Sequence, residues 1–299
     1  MSDLLLPNRR LWLPNREMVP PSLCSMFMAT HLLGFGGGLQ GISLYDAISQ
    51  AGLTTNLKLA FDAGDSVSYS GSGQSWLDRS GNGHDFFLGA DGSATATDPT
   101  FNGSAGGLSA NEYFSSDGGD YFRYDSANET WMKQLHHDSS VFTLLAMAYI
   151  QSASNFAVLG NLTGGAGLLF HYNGSDALRI LARKAGATVV LDKTSDAMSL
   201  VTGWHFIALS LSEAGGNVSF FYRNGNYAQV SAADTFDAAY TAPDTSDPAF
   251  TTEIGAFGNG DTPIPSGARI AMMAAWQGTA LSKANLDTLY ASLRGRVGL

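Results

Sequence analysis

The sequence predicts an all-β fold: two antiparallel sheets packed as a sandwich, with one C-terminal helix and an extended N-terminal arm. Three observations carry this. From about residue 53 onward, short apolar runs of strand length recur between clusters of Gly, Ser, Asn and Asp. The chain of 299 residues holds 35 glycines, but only 14% of it is charged. A charged share near 25% is usual, so the pattern fits a turn-rich protein with a neutral polar surface. The helical period is clear in the stretch from Leu281 to Leu293, where Leu286, Leu289, Tyr290 and Leu293 fall at i, i+3, i+4 and i+7.

The elements follow in order. Leu6-Pro7-Asn8-Arg9 recurs as Leu13-Pro14-Asn15-Arg16, and proline biases such a stretch toward extended conformations. Residues 1–22 therefore read as an extended arm that docks on a partner subunit or on this chain's own domain. Leu6, Arg9, Leu11, Trp12, Leu13 and Arg16 are its anchoring residues, because such apolar content is poorly behaved in water. Gly34-Phe35-Gly36-Gly37-Gly38 lacks a following Gly-Lys-Ser/Thr, so it is a connector and not a phosphate loop. Leu44 to Ala51 is a short helix, with Ser43 as N-cap and Gly52 as its stop. The division expected is an arm and connector over 1–50 and one sandwich domain over 51–299.

Asn56 to Asp62 alternates with period two, which predicts a strand with one buried face. Next comes WLDRSGNGHDFFLG, Trp76 to Gly89, read as a tight corner between two strands. Gly81 and Gly83 supply positive φ there, and Asp78 and Ser80 bond nearby backbone. Residues 90–119 read as loops with short strands. Strands are expected at 120–124, 142–150, 156–160, 167–172, 178–182, 188–191, 204–211 and 218–223. Asn224-Gly225 is a hairpin signal into Tyr227–Val230. A long polar loop over 232–250 precedes strands at 252–256 and 268–276. Ser282 caps the closing helix, with Leu281 and Leu286 as its staple.

Composition narrows function. A net charge of −10 and a pI near 4.8 oppose nucleic acid as the main partner. A lone cysteine, Cys24, allows no disulfide within the chain. The most apolar early stretch, Leu23 to Leu33, is shorter than the roughly 20 residues a membrane span requires. Prolines and acidic residues interrupt the region where a signal peptide would sit.

Several stretches resemble, in order, the concanavalin A-like, laminin G-type jelly roll. Ala60-Phe61-Asp62 resembles its opening strand. Asp78-Arg79-Ser80-Gly81-Asn82-Gly83-His84 is close to its D-x-S-G-N-G-H signature. Gly203-Trp204-His205-Phe206-Ile207-Ala208 resembles its G-W-H-x-V-A strand, and Tyr222-Arg223-Asn224-Gly225 its hairpin. The resemblance covers about 53–299. It implies two packed antiparallel sheets of about six or seven strands each. It also implies structural roles for His84 and His205.

Chemistry is sparse. Hydrolases of this fold carry Glu-x-Asp-x-x-Glu on one strand, and none of the five glutamates here (Glu17, Glu112, Glu129, Glu213, Glu253) begins such a motif. The chain is accordingly read as non-enzymatic. His136-His137-Asp138 reads as a solvated loop, since adjacent strand residues point apart. Many laminin G-type domains bind calcium at the rim, which makes Asp117, Asp120, Asn173 and Asp176 the candidate ligands, with calcium the one cofactor considered. Sugar binding would use exposed aromatics; the candidates are Tyr69, Trp131, Tyr172, Tyr227 and Tyr240. Trp76 and Trp204 are assigned to the core.

The combined reading is a virion structural protein of a tailed bacteriophage, of capsid decoration, fibre or spike type, made in the host cytoplasm. Its arm would anchor to other virion proteins. Its jelly roll would project, as a homo-oligomer, toward host surface glycans. The alternatives are a stand-alone bacterial carbohydrate-binding module and, further off, a glycoside hydrolase.

Overall fold

The structure is a computed structural model. It describes residues 41–124, 130–137, 139–151, 154–162, 165–195, 197, 202–212, 217–224, 227–230, 252–258 and 260–299. The arm residues Leu6, Arg9, Leu11, Trp12, Leu13 and Arg16, and also Tyr240, lie outside the described residues.

The strands are β1 (Leu57–Asp62), β2 (Ser75–Trp76), β3 (Phe86–Leu88), β4 (Thr100–Asn102), β5 (Tyr113–Ser115), β6 (Phe122–Tyr124), β7 (Val141–Ile150) and β8 (Asn155–Gly160). They continue as β9 (Gly167–Asn173), β10 (Leu178–Lys184), β11 (Thr188–Thr194), β12 (Gly203–Ser212), β13 (Asn217–Asn224), β14 (Tyr227–Val230), β15 (Glu253–Gly255) and β16 (Arg269–Gln277). Helices α1 (Leu44–Gln50), α2 (Thr130–Lys133) and α3 (Lys283–Leu293) complete the set.

The first sheet runs β14-β13-β12-β7-β16-β5-β4, with β1 also beside β16; the second runs β11-β10-β9-β8-β15-β6-β3-β2. Among the described residues each has eight strands, against the six or seven expected. The difference lies in two- and three-residue strands inside stretches that look like loops in sequence.

The main core fills the space between the sheets. Leu59 and Phe61 of β1, Leu144 and Ala146 of β7, and Phe170 and Ile180 of the second sheet all lie in it. A second apolar cluster covers the outer face of the first sheet, where Leu44 and Ile48 of α1 and Leu286, Leu289 and Leu293 of α3 meet Ala60, Leu145 and Trp276. This corrects the one-sided reading of β1: Leu57 and Ala60 are buried too, because the two helices cover their face. Helix α1 thus packs with α3 on the outer face of the first sheet.

Helix ends follow local chemistry. The Ser43 hydroxyl accepts from the Asp46 amide at 3.1 Å, and Gly52 takes φ of 69° to end α1. Ser282 and Asn285 form a reciprocal capping box on α3. Past α3, Arg294–Val297 tighten into a 3-10 turn that carries Arg296 inward. Its guanidinium meets the Asp62 carboxylate through two 3.0 Å bonds, and both side chains are 1% exposed.

The corner forms as read. β2 and β3 pair with Trp76 opposite Phe86. One Asp78 carboxylate accepts from the amides of Ala60, Ser80 and His84, and from the Ser80 hydroxyl. Gly81 and Gly83 take φ of 89° and 72°. Asn82 works differently than its turn propensity suggests: its amide nitrogen donates to the Leu57 carbonyl, tying the corner to β1. His84 is structural, with Nδ1 2.6 Å from the Lys58 carbonyl and Nε2 accepting from the Trp131 indole.

Two side-chain assignments change. Trp204 is half-buried on the outer face, outside the main core. His136 is fully buried after α2, not solvated, and its ring packs against His137 with centroids 4.6 Å apart.

Candidate functional site: a groove on the second sheet

Alternation along β9 decides what the second sheet shows to the outside. Leu168, Phe170 and Tyr172 point into the main core, which leaves Leu169, His171 and Asn173 on the outer face. The same parity on β10 sends Leu178, Ile180 and Ala182 inward and Arg179 and Leu181 outward. Cross-strand register then lines up Ala157, His171 and Arg179 in one row across β8, β9 and β10. Leu162, Leu169, Leu181 and Ala157 form a small apolar floor, with Phe257 packed against it.

Above this floor is an open groove of about 360 Å³ lined by Asn155, His171, Asn173, Ser175, Arg179 and Phe257, among others. The Phe257 wall is held by a tight loop, in which Phe257 and Asp261 exchange two backbone bonds and Thr262 takes φ of 52°.

The polar groups of the groove divide into committed and free. Arg179 grips Asp192 of β11 with two bonds of 2.7 and 2.6 Å, and this hydrogen bonding holds the Asp192 carboxyl below the usual carboxylate range. Asn173 accepts from the amides of Ser175 and Ala177 through Oδ1, which leaves its amide nitrogen available. The side chain of Asn155 makes no hydrogen bond among the described residues. The Nε2 atom of His171 is sealed by its surroundings and has no partner among the described residues.

Burial, with a smaller contribution from the Arg179 cation, pushes the His171 pKa down to about 4. The ring is therefore neutral at pH 7, and its two nitrogens act as one donor and one acceptor. A depressed histidine pKa means that the unfolded chain binds the extra proton first. Stability from this group is complete above about pH 6.5 and is lost as pH falls toward 4. Urea titrations of wild type and His171→Gln between pH 7 and 4 are expected to diverge by roughly 2–3 kcal/mol. Parallel curves would mean that the ring is better solvated than its environment implies.

Among the described residues no carboxylate lines the groove, and the neighbouring acid, Asp192, is engaged by Arg179. Glu253 is 0% exposed and holds Arg123 at 2.8 Å, so it is a buried structural ion pair. Glu112 turns inward to accept from Ser104 and Ser109.

The expected site residues land unevenly. Trp131 and Tyr172, read as exposed sugar platforms, are 5% and 1% exposed in the main core. Tyr172 has the inward parity of Phe170, and Trp131 packs on His84. Tyr69 is also buried, against Phe101 and Phe114. Tyr227 opens β14, and its side chain lies outside what the structure describes.

The calcium candidates sit on two separate loops. The Asp120 carboxylate is buried and accepts from the Asp117 amide, while Asn173 and Asp176 build the β9–β10 hairpin, where Asp176 takes φ of 67°. Among the described residues no group of three or more His, Cys, Asp or Glu is placed to hold a metal ion. His171, Asn155 and Phe257 went unread as site residues. The signal for His171 was the alternation Leu168-Leu169-Phe170-His171-Tyr172, which opposes it to two aromatic neighbours.

No family model and no curated protein matches this chain. Solved structures do. The binding domain of botulinum neurotoxin serotype D superposes with a TM-score of 0.52 at 13% identity, over 82% of this chain and 52% of that one. A structure described as showing that cell entry of botulinum neurotoxin type C depends on two ganglioside molecules gives 0.52 at 11%, over 82% and 53%. The binding domain of botulinum neurotoxin DC in complex with SialylT gives 0.52 at 10%, over 80% and 52%. This chain spans about half the length of each of these three structures. At such identity the likeness shows the fold: a mostly β protein with two antiparallel sheets in a sandwich. Among the described residues no helix is long and apolar enough to cross a membrane.

Proposed function

We propose that this chain is a non-catalytic glycan-binding sandwich, carried on a tailed-phage virion through its N-terminal arm. The observation behind the binding role is the outer groove of the second sheet. There Asn155, the Asn173 amide nitrogen and Nδ1 of neutral His171, whose Nε2 is sealed beneath, offer uncommitted hydrogen-bonding groups beside the Phe257 ring. Sugars ask for that combination of fixed donors and acceptors for hydroxyls and an apolar face for the ring. Structural neighbours whose descriptions name gangliosides or a complex with SialylT support the same class of ligand without assigning a site here. The virion setting rests on the repeated Leu-Pro-Asn-Arg arm and the jelly-roll resemblance.

An array of neutral oligosaccharides tests the binding role. The full-length protein is expected to bind at least one glycan saturably. His171→Ala and Phe257→Ala should each weaken that binding tenfold or more while leaving the thermal midpoint within a few degrees. Equal binding by wild type and both variants would remove the groove from the account. For the anchoring role, particles assembled with a chain lacking residues 1–39 should lose the protein, and its retention would refute the arm.

A further inference from the structure

The opposite face of the molecule holds a second concentration of unused chemistry. Arg269 opens β16 and projects from the outer face of the first sheet, beyond the part that α1 and α3 cover. Its cross-strand partner is Tyr149 of β7, whose own partner on the far side is Trp204 of β12. Tyr113 of β5 lies on the other flank. The guanidinium carbon is 4.7 Å from the Tyr113 ring centroid and 4.6 Å from that of Tyr149, so the cation is held between two aromatic faces. Trp204 meets Tyr113 and Tyr149 edge to face, both at 5.8 Å.

Five of the described arginines, Arg79, Arg123, Arg179, Arg223 and Arg296, each grip a carboxylate, whereas Arg183, Arg269 and Arg294 do not; of these three only Arg269 lies against aromatic rings. Arg269 has neither a carboxylate nor a hydrogen-bond partner among the described residues, in a chain of net charge −10. The residue is half-buried, and none of its nitrogens is among the sealed, unpartnered atoms. The two rings confine the guanidinium while its nitrogens keep access to solvent, and a confined planar fork can match a planar anion in two-point fashion.

We infer that Tyr113, Tyr149, Trp204 and Arg269 form a second binding site, for a saccharide that carries a carboxylate. One cation without a second basic neighbour in the cluster suits a monoanion better than a phosphate dianion. The half-buried Trp204 beside it supplies the apolar surface on which a sugar ring stacks. A uronic acid and a nonulosonic acid share this chemistry.

The test uses the full-length protein and calorimetric titration with two acids and their uncharged counterparts: trigalacturonate against its methyl ester, and sialyllactose against lactose. At least one acid should bind saturably, its counterpart tenfold or more weakly, with affinity falling as salt rises. Which acid binds identifies the source. Arg269→Lys keeps the charge and the stem but loses the planar fork, and should weaken binding at least tenfold at an unchanged thermal midpoint. Arg269→Gln should abolish it. His171→Ala should leave it intact, which separates this site from the groove on the other sheet. Failure of both acids, equal binding of the neutral counterparts, or wild-type affinity in Arg269→Lys would each overturn the site.

Discussion

Arg296→Met should destabilise the fold by about 3–5 kcal/mol, because it leaves the Asp62 carboxylate buried without its counter-charge. Asp62 is placed by β1, and its oxygens also accept from the amides of Leu44 and Gly64 at 2.9 and 2.8 Å. Arg296 additionally donates to the Ile42 carbonyl. One ion pair therefore joins the first strand, the start of α1 and the last turn of the chain. Glycine at 41 and 64 is part of the design, since a Cβ at either position would run into the Arg296 side chain. Urea unfolding gives the readout. Asp62→Leu combined with Arg296→Met should recover most of the loss, because the penalty comes from the stranded charge rather than from the absence of the pair. A loss below about 1 kcal/mol in the single variant would show that water reaches the site.

That pair could not be read from the sequence, for a physical reason. Asp62 and Arg296 are 234 positions apart, and no motif links the two. Each looks like an ordinary end-of-element charge. The corner from Trp76 to Gly89 was legible because most of its chemistry is local: Asp78 bonds Ser80 and His84 as well as the more distant Ala60, and Gly81 and Gly83 need no distant partner to justify φ above zero. The strands of β7, β12 and β16 were legible because both of their faces are buried and they read as continuous apolar runs.

Site residues were harder, because exposure depends on which face a neighbour covers. Tyr172 and Trp131 have the composition of sugar platforms and the positions of core residues. His171 has no such signature, and its environment is completed by the loop at Phe257, far along the chain from β8, β9 and β10. Arg269 belongs to the same class: its meaning lies in Tyr113 and Tyr149, which the sheet order brings to either side of it.

Trp76→Ala is expected to cost about 3–5 kcal/mol, the range for deleting a large buried aromatic side chain. Trp76 is fully buried, with ring centroids 5.0 Å from Phe61, 4.9 Å from Phe114 and 4.8 Å from Phe122. Phe61 and Phe114 belong to the first sheet, and Phe122 to the second, so the indole bridges the two layers where the corner begins. Its Nε1 is buried and makes no hydrogen bond among the described residues, so the ring contributes through packing and apolar burial alone. Trp76→Phe keeps an aromatic ring in the cluster and removes an unsatisfied N–H, and should cost less than half as much as Trp76→Ala. Equal losses in the two variants would mean that the full indole volume is needed to keep the sheets in register. Normal glycan binding by Trp76→Phe would then place the whole Trp76–Gly89 stretch on the side of folding, with Asp78 and His84 as its hydrogen-bonding hubs and the binding chemistry on the two outer faces.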